Sequence, residues 1–281
     1  MINPTPTTHQ PRSPELRMQL IPREVLTQSF MSGWQAAGHH LQEKGKGDLV
    51  WLRTNLHQPM TEHLSFRLGN QLYFVFVDAV ENDIAALPFD SDRAKRLSHA
   101  AEIANAVPCL IRINKTSREW SVSSPEWGLV HAETGEPVDP PSLVDDQPIE
   151  MTDWEIHDFA VQVVRNFLTQ EGKNVTEWQS ILEIDPTIWF EDGDRFCWVV
   201  VRTVRYPEAN APRPENLATL TGATGPRGRN GYFASVAVAN GEDPFDGSPP
   251  MPLYRGCRMY VNFTGIEPIQ DAPGKEQENR T

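Results

Sequence analysis

Five carboxylates crowd into residues 183–194 of this chain: Glu183, Asp185, Glu191, Asp192 and Asp194. With Trp189 beside them, they are the side chains best placed to do something chemical. The turn Glu191-Asp192-Gly193-Asp194 is the most distinctive exposed feature. Read functionally, it belongs to a surface that captures a basic partner, with aromatic anchors supplying most of the energy. Read structurally, it is a solvated hairpin tip. Glu183, Asp185, Trp189, Glu191, Asp192 and Asp194 are therefore the partner-binding candidates, and no catalytic, metal-ligating or cofactor-binding residue is assigned.

Other chemistries find less support. His39-His40 falls in a polar run that reads as loop. No H-E-x-x-H, G-x-S-x-G or Walker sequence occurs, and the Gly-rich run at 221–231 lacks the G-K-[S/T] that would reach phosphates. Cys109, Cys197 and Cys257 are widely spaced and form no C-x-x-C. That pattern gives neither a disulfide framework nor a zinc ribbon, and predicts buried, reduced thiols.

The elements that must position the acids are strands. Ile188-Trp189-Phe190 runs in, an Asp-Gly turn reverses the chain, and Phe196 to Val204 runs out. Cys197-Trp198-Val199-Val200-Val201 is apolar without alternation. Such a strand is expected in the middle of a sheet, with helices above and below. Thr152-Asp153-Trp154-Glu155 matches a capping box. Ile156, Phe159, Ala160, Val163, Val164, Phe167 and Leu168 follow at helical spacing, ended by Gly172.

A similar arrangement precedes it. Residues 64–78 place a Gly-centred turn between a short strand and a long apolar one. Setting Gly69 on Gly193 (193 − 69 = 124) aligns Leu64 with Ile188, Phe66 with Phe190, Phe74 with Trp198 and Val77 with Val201. A helix after Pro22 with a stop at Gly38, a loop over 39–47, a strand at 49–52, a helix opened by Asp90 or Ser91, and a strand at 108–114 complete the first half. The second half adds strands at 175–181, 232–239 and 258–263. The pattern predicts an α/β (α+β) protein of two tandem, similar domains. Each has a mixed central sheet, carries a long β-hairpin and is flanked by helices. The domains are placed at 21–135 and 151–268, joined by a Pro-rich linker over 136–150. Disordered ends are expected at 1–20 and 269–281.

Composition narrows the function. The 281 residues carry a formal charge of −13. This argues against a nucleic-acid partner, which needs clustered Lys and Arg, and suits a basic protein partner. Neither a secretion signal nor a run long enough to span a membrane is evident, so a soluble cytoplasmic protein is expected.

The order helix, strand, hairpin, helix, strand resembles the core of the restriction-endonuclease-like nucleases. That family carries an acid at the start of its hairpin and a D/E-x-K triplet on the second strand, which together hold Mg²⁺ and activate water. Carried over residue by residue, Asp185 stands for the first acid, but the triplet falls on Val200-Val201-Arg202. In the first half it falls on Phe76-Val77-Asp78, with Glu62 near the hairpin's start. A hard cation wants several oxygen ligands, so the resemblance implies two degenerate sites.

In general character the chain also resembles the acidic immunity proteins that neutralise bacterial secreted toxins, including those of type VI secretion. That resemblance implies a non-catalytic antitoxin whose partner is a basic toxin, most naturally a nuclease. Two alternatives stay open. One is an active metal-dependent nuclease with a migrated carboxylate, drawing on Glu183, Asp185 and Asp78. The other is a scaffold module of a larger assembly.

Overall fold

The computed structural model describes residues 25–52, 62–116, 119–123, 126–182, 184–215 and 230–269. Glu183, most of the Gly-rich run at 221–231, residues 216–220 and both expected disordered ends lie outside them, apart from Ile269. The protein is α/β, with two mixed sheets and few helices. The described residues divide into two compact units, one of 25–51 and 62–144, the other of 145–269 together with Leu52.

The first unit opens with α1 (Gln28–Gly45), capped by the Thr27 hydroxyl, which accepts from the backbone N–H of Phe30. Phe30, Gly33, Trp34, Ala37 and Leu41 form its buried stripe, the spacing of one helical face. Then come β1 (Leu49–Leu52), β2 (Leu64–Leu68), β3 (Gln71–Glu81) and β4 (Ile84–Ala85). A crossover through α2 (Ser91–Ala104), capped by Asp90, leads to β5 (Val107–Lys115), which lies parallel to β3. The strands β6 (Trp120–Val122), β7 (Leu129–His131) and β8 (Pro137–Val138) and the single turn α3 (Pro140–Leu143) complete it. The sheet order is β1-β2-β3-β5-β7-β8, which buries β3 in the middle. A Cβ on Gly33 would sit 2.8 Å from the Cβ of Ala79 on β3, so only glycine lets α1 approach the sheet this closely.

The second unit repeats the plan. Helix α4 (Asp153–Gln170) begins with a complete capping box between Thr152 and Glu155, then β9 (Asn174–Trp178), β10 (Ile188–Asp192) and β11 (Arg195–Arg205) follow. β12 (Asn230–Asn240) lies parallel to β11, and β13 (Met259–Asn262) and β14 (Glu267–Pro268) pair antiparallel to β12. The order β13-β12-β11-β10-β9 again centres the long hairpin strand. Its inner face packs Cys197, Val199 and Val201 with Ile156, Ala160, Val161, Val164 and Leu168 of α4. Its outer face packs Trp198 and Val200 with Trp189 and Ile269. Gly231 makes room there, since a Cβ at that position would lie 2.4 Å from the Trp198 ring.

Several local expectations are corrected. Helix α1 does not stop at Gly38 but runs to Gly45, ending where Lys46 turns left-handed. His39 and His40 are thus helical, and His40 Nε2 donates to the Trp127 carbonyl at 3.2 Å. The hairpin turn is not Asp-Gly. Asp192 still pairs with Arg195, so the loop is Gly193-Asp194, with Gly193 at φ 63° and Asp194 not left-handed, the pattern of a type II′ turn. The Pro-rich segment at 136–150 is only partly a linker, because β8 pairs with β7 and Tyr73 donates to the Pro140 carbonyl at 3.1 Å. Among the described residues, β11 has a helix on one face only. On the other, Trp189 and Ile269 pack against Trp198 and Val200, and the neighbouring β12 is met by the segment at 206–215, where Ala211 N donates to Ser235 Oγ at 2.7 Å and Arg213 lies over Phe233.

Candidate functional site

Asp185 sits just before β10, and Arg202 lies on β11 facing away from α4. The guanidinium grips the carboxylate with two bonds, Nη1 to Oδ1 at 3.0 Å and Nη2 to Oδ2 at 2.5 Å. Such a fork-on-fork pair uses both carboxylate oxygens. Val200 and Val201, the other triplet positions, are fully buried. In the first unit, Asp78 accepts from Arg112 Nε at 2.7 Å, and Glu62 accepts from Arg96 at 3.2 and 3.0 Å. Asp185, Asp78 and Glu62 are thus each engaged by arginine. Among the described residues no three His, Cys, Asp or Glu side chains gather closely enough to hold a metal ion.

The acidic tip is also less bare than its sequence. Lys173 Nζ donates to Asp192 at 2.6 Å, Arg195 bonds the other oxygen of the same carboxylate, and Asn174 donates to Glu191 at 2.7 Å. The Lys173 hydrogen bond holds the Asp192 carboxyl below its usual range, and the same bond raises Lys173. Three carboxylates therefore share their surface with two cations. Trp189 is half-buried and stacked on Phe196, ring centroids 5.2 Å apart. Asp194 stays exposed in the turn. Of the six candidates, the structure gathers Trp189, Glu191, Asp192 and Asp194 on one hairpin and ties Asp185 into a separate ion pair. Glu183 lies outside the described residues.

The most heavily buried ion pair described in the second unit was only half legible in the sequence. Glu155, at the third position of α4, closes the capping box through Thr152 N at 2.9 Å and also receives Arg255, Nε to Oε1 at 2.8 Å and Nη2 to Oε2 at 3.0 Å. Both side chains are wholly buried. Arg255 is placed by backbone pairing of the 149–151 segment with 253–255, through Met151 N to Leu253 O and Arg255 N to Ile149 O, each 2.8 Å. The capping motif advertised Glu155, but nothing in the run Pro252-Leu253-Tyr254-Arg255 advertised its partner. One turn on, Asp158 accepts from Ser180 Oγ at 2.6 Å and Gln162 at 2.7 Å, and His157 Nδ1 lies 3.4 Å from Thr203 Oγ1.

Four further reactive groups, Cys109, Tyr73, Ser65 and His63, are buried. Burial pushes the Cys109 thiol up to about 12 and raises the Tyr73 phenol, so neither ionises near neutrality. Ser65 Oγ lies 3.1 Å from His63 Nδ1, but both are buried and the ring stacks on Phe74 at 4.4 Å.

Sequence comparison bears on the same half of the molecule. Residues 154–269 match a domain of unknown function, DUF8840. The matched segment covers nearly all of α4 and every strand of the second sheet. No curated protein and no solved structure matches the chain. Among the described residues no helix is long and apolar enough to cross a membrane.

Proposed function

We propose that this chain is a non-catalytic binding protein of the cytoplasm. It acts as an immunity or antitoxin-type protein that occludes the active surface of a basic bacterial toxin. The observation that carries the reading is the Asp185–Arg202 pair. Where a water-activating metal would need open oxygen ligands, the carboxylate is closed on a guanidinium, and valines fill the neighbouring positions. The charge of −13 adds to it, because an acidic surface speeds the encounter with a basic partner and disfavours nucleic acid. A nuclease is the natural target, since an enzyme that grips an anionic substrate is itself basic where it acts.

The test is expression of the neighbouring genes, each alone and each with this chain. One product is expected to be toxic alone, to be neutralised by this chain and to co-purify with it. If no neighbour is toxic, the reading fails. Mg²⁺-dependent cleavage of DNA or RNA by this chain, lost in Asp185→Ala, would instead make it a nuclease.

A further inference from the structure

Among the described residues, β9 and β13 are the two edges of the second sheet, and they are defended unequally. At β9 the register slips between Trp189 and Phe190, Lys173 precedes the strand and Glu177 lies within it. Bulges and charges of this kind discourage pairing with another chain. At β13 the register runs without interruption, from Ala237 opposite Asn262 to Asn240 opposite Met259. Met259-Tyr260-Val261-Asn262 holds no lysine, proline or acid. Tyr260 is 47% exposed and Val261 39%, so apolar surface faces solvent on both sides of this edge.

A platform of rings lies beside it. Tyr206, from the end of β11, meets Phe245 edge to face at 5.0 Å, and Phe245 meets Tyr260 at 5.8 Å. Phe245 is itself 47% exposed and stands at φ 52°. This backbone region is unfavourable for a bulky side chain. The loop is held there by the buried Asp243, which accepts from Phe245 N at 2.9 Å and Met251 N at 2.8 Å. The chain thus fixes an aromatic ring outward in a conformation that the residue would otherwise avoid. Exposed Glu208, Glu242 and Asp246 belong to the same segments, against Arg258, whose guanidinium lies over Tyr260.

We propose that β13 and the Tyr206–Phe245–Tyr260 platform form a docking surface for an extended, lysine- or arginine-bearing strand of a partner protein. Backbone bonds along the open edge would give pairing, and the rings would take apolar and cationic side chains. Charge selects this occupant over a second copy of the chain, because two copies would set their carboxylates against each other on a molecule of charge −13. The inference rests on the binding reading above and moves the principal contact from the hairpin tip to the β13 edge of the sheet.

The probe is a ten-residue amidated peptide alternating Lys and Val, with a Glu–Val peptide as control, added to the full chain. Hydrogen exchange should slow at residues 259–262 with the Lys–Val peptide only. Binding should weaken about tenfold in Phe245→Gly, a change that suits the backbone there, and again in Tyr260→Ser. Tyr260→Lys, at an exposed position, provides a second variant that should fold and bind poorly. Protection elsewhere, equal binding of the Glu–Val peptide, unchanged binding in the variants, or self-association through β13 would each overturn the proposal. Toxin capture that survives these variants sinks the docking surface and leaves the antitoxin reading standing. Peptide binding at β13 with no toxic neighbour does the reverse.

Discussion

In the first unit, α1 meets its sheet through Phe30, Gly33, Trp34, Ala37 and Leu41. In the second, the helix face displaced by 127 positions (157 − 30) carries His157, Ala160, Val161, Val164 and Leu168. The hairpins coincide more closely still. Leu64 pairs with Val75 and Ile188 with Val199, and both pairs are related by 124 positions (188 − 64 and 199 − 75). What the two units share is geometry: hairpin register, glycine at the first turn position, a small residue where the helix comes nearest the sheet. What they do not share is polarity. Ala79 corresponds to Thr203 and Phe30 to His157, while Asp78 on β3 becomes Arg202 on β11 (78 + 124). A backbone plan tolerates a change from greasy to hydrogen-bonded interior wherever each new polar group finds a partner.

The largest effect should come from the buried Glu155–Arg255 pair, which among the described residues has no counterpart in the first unit. Arg255→Met strands a buried carboxylate, and about 3–5 kcal/mol of stability should be lost. Chemical denaturation followed by exchange of the α4 amides would measure it. A loss well under 1 kcal/mol would mean that α4, like α1, is held by apolar packing alone. Replacing both partners, as Glu155→Leu with Arg255→Met, should recover most of the loss.

Arg202→Met should cost about 2–3 kcal/mol at neutral pH by leaving Asp185 with no counter-ion. A loss near zero in chemical denaturation would show that the pair is solvated and that the exchange of Asp78 for Arg202 carries no energetic meaning.

Planting the second unit's residue in the first sharpens the comparison. Phe30→His should cost about 1–3 kcal/mol, because Ala79 offers no hydroxyl. Adding Ala79→Thr should recover part of that. If it recovers nothing, the His157–Thr203 contact at 3.4 Å is incidental.

The smallest effect concerns the hairpin tip. Asp192 is depressed by its bond to Lys173. Its stabilisation is therefore present above the unfolded carboxyl value, about 4, and is lost as pH falls through the lower folded value. A small fall in the melting midpoint below pH 4, abolished by Asp192→Asn, is expected in a thermal scan.

Much of the fold was legible because its signals are local. The apolar run at 197–201, the capping box at Thr152 and the Gly-centred turns at 69 and 193 each state their conformation within a few residues. They placed α4, both hairpins and the mixed sheets. The end of α1 was missed because Gly38 weakens a helix without ending it when packing continues to Leu41. The turn type was missed because Asp192-Gly193 and Gly193-Asp194 both read as primed turns, and the cross-strand partner of Asp192 decides between them.

The site was less legible. Sequence placed carboxylates at 185 and 191–194, and the net charge, the paired hairpins and the lack of any complete catalytic motif are properties of the chain alone. Only the folded chain decided which of those charges stand free. It set Arg202 against Asp185, Lys173 against Asp192 and Arg255 against Glu155 across 100 residues, and it brought Tyr206, Phe245 and Tyr260 into one partly exposed cluster. Charge neutralisation and aromatic contact act through space over a few ångströms, whereas helix and turn signals act along the chain over a few residues.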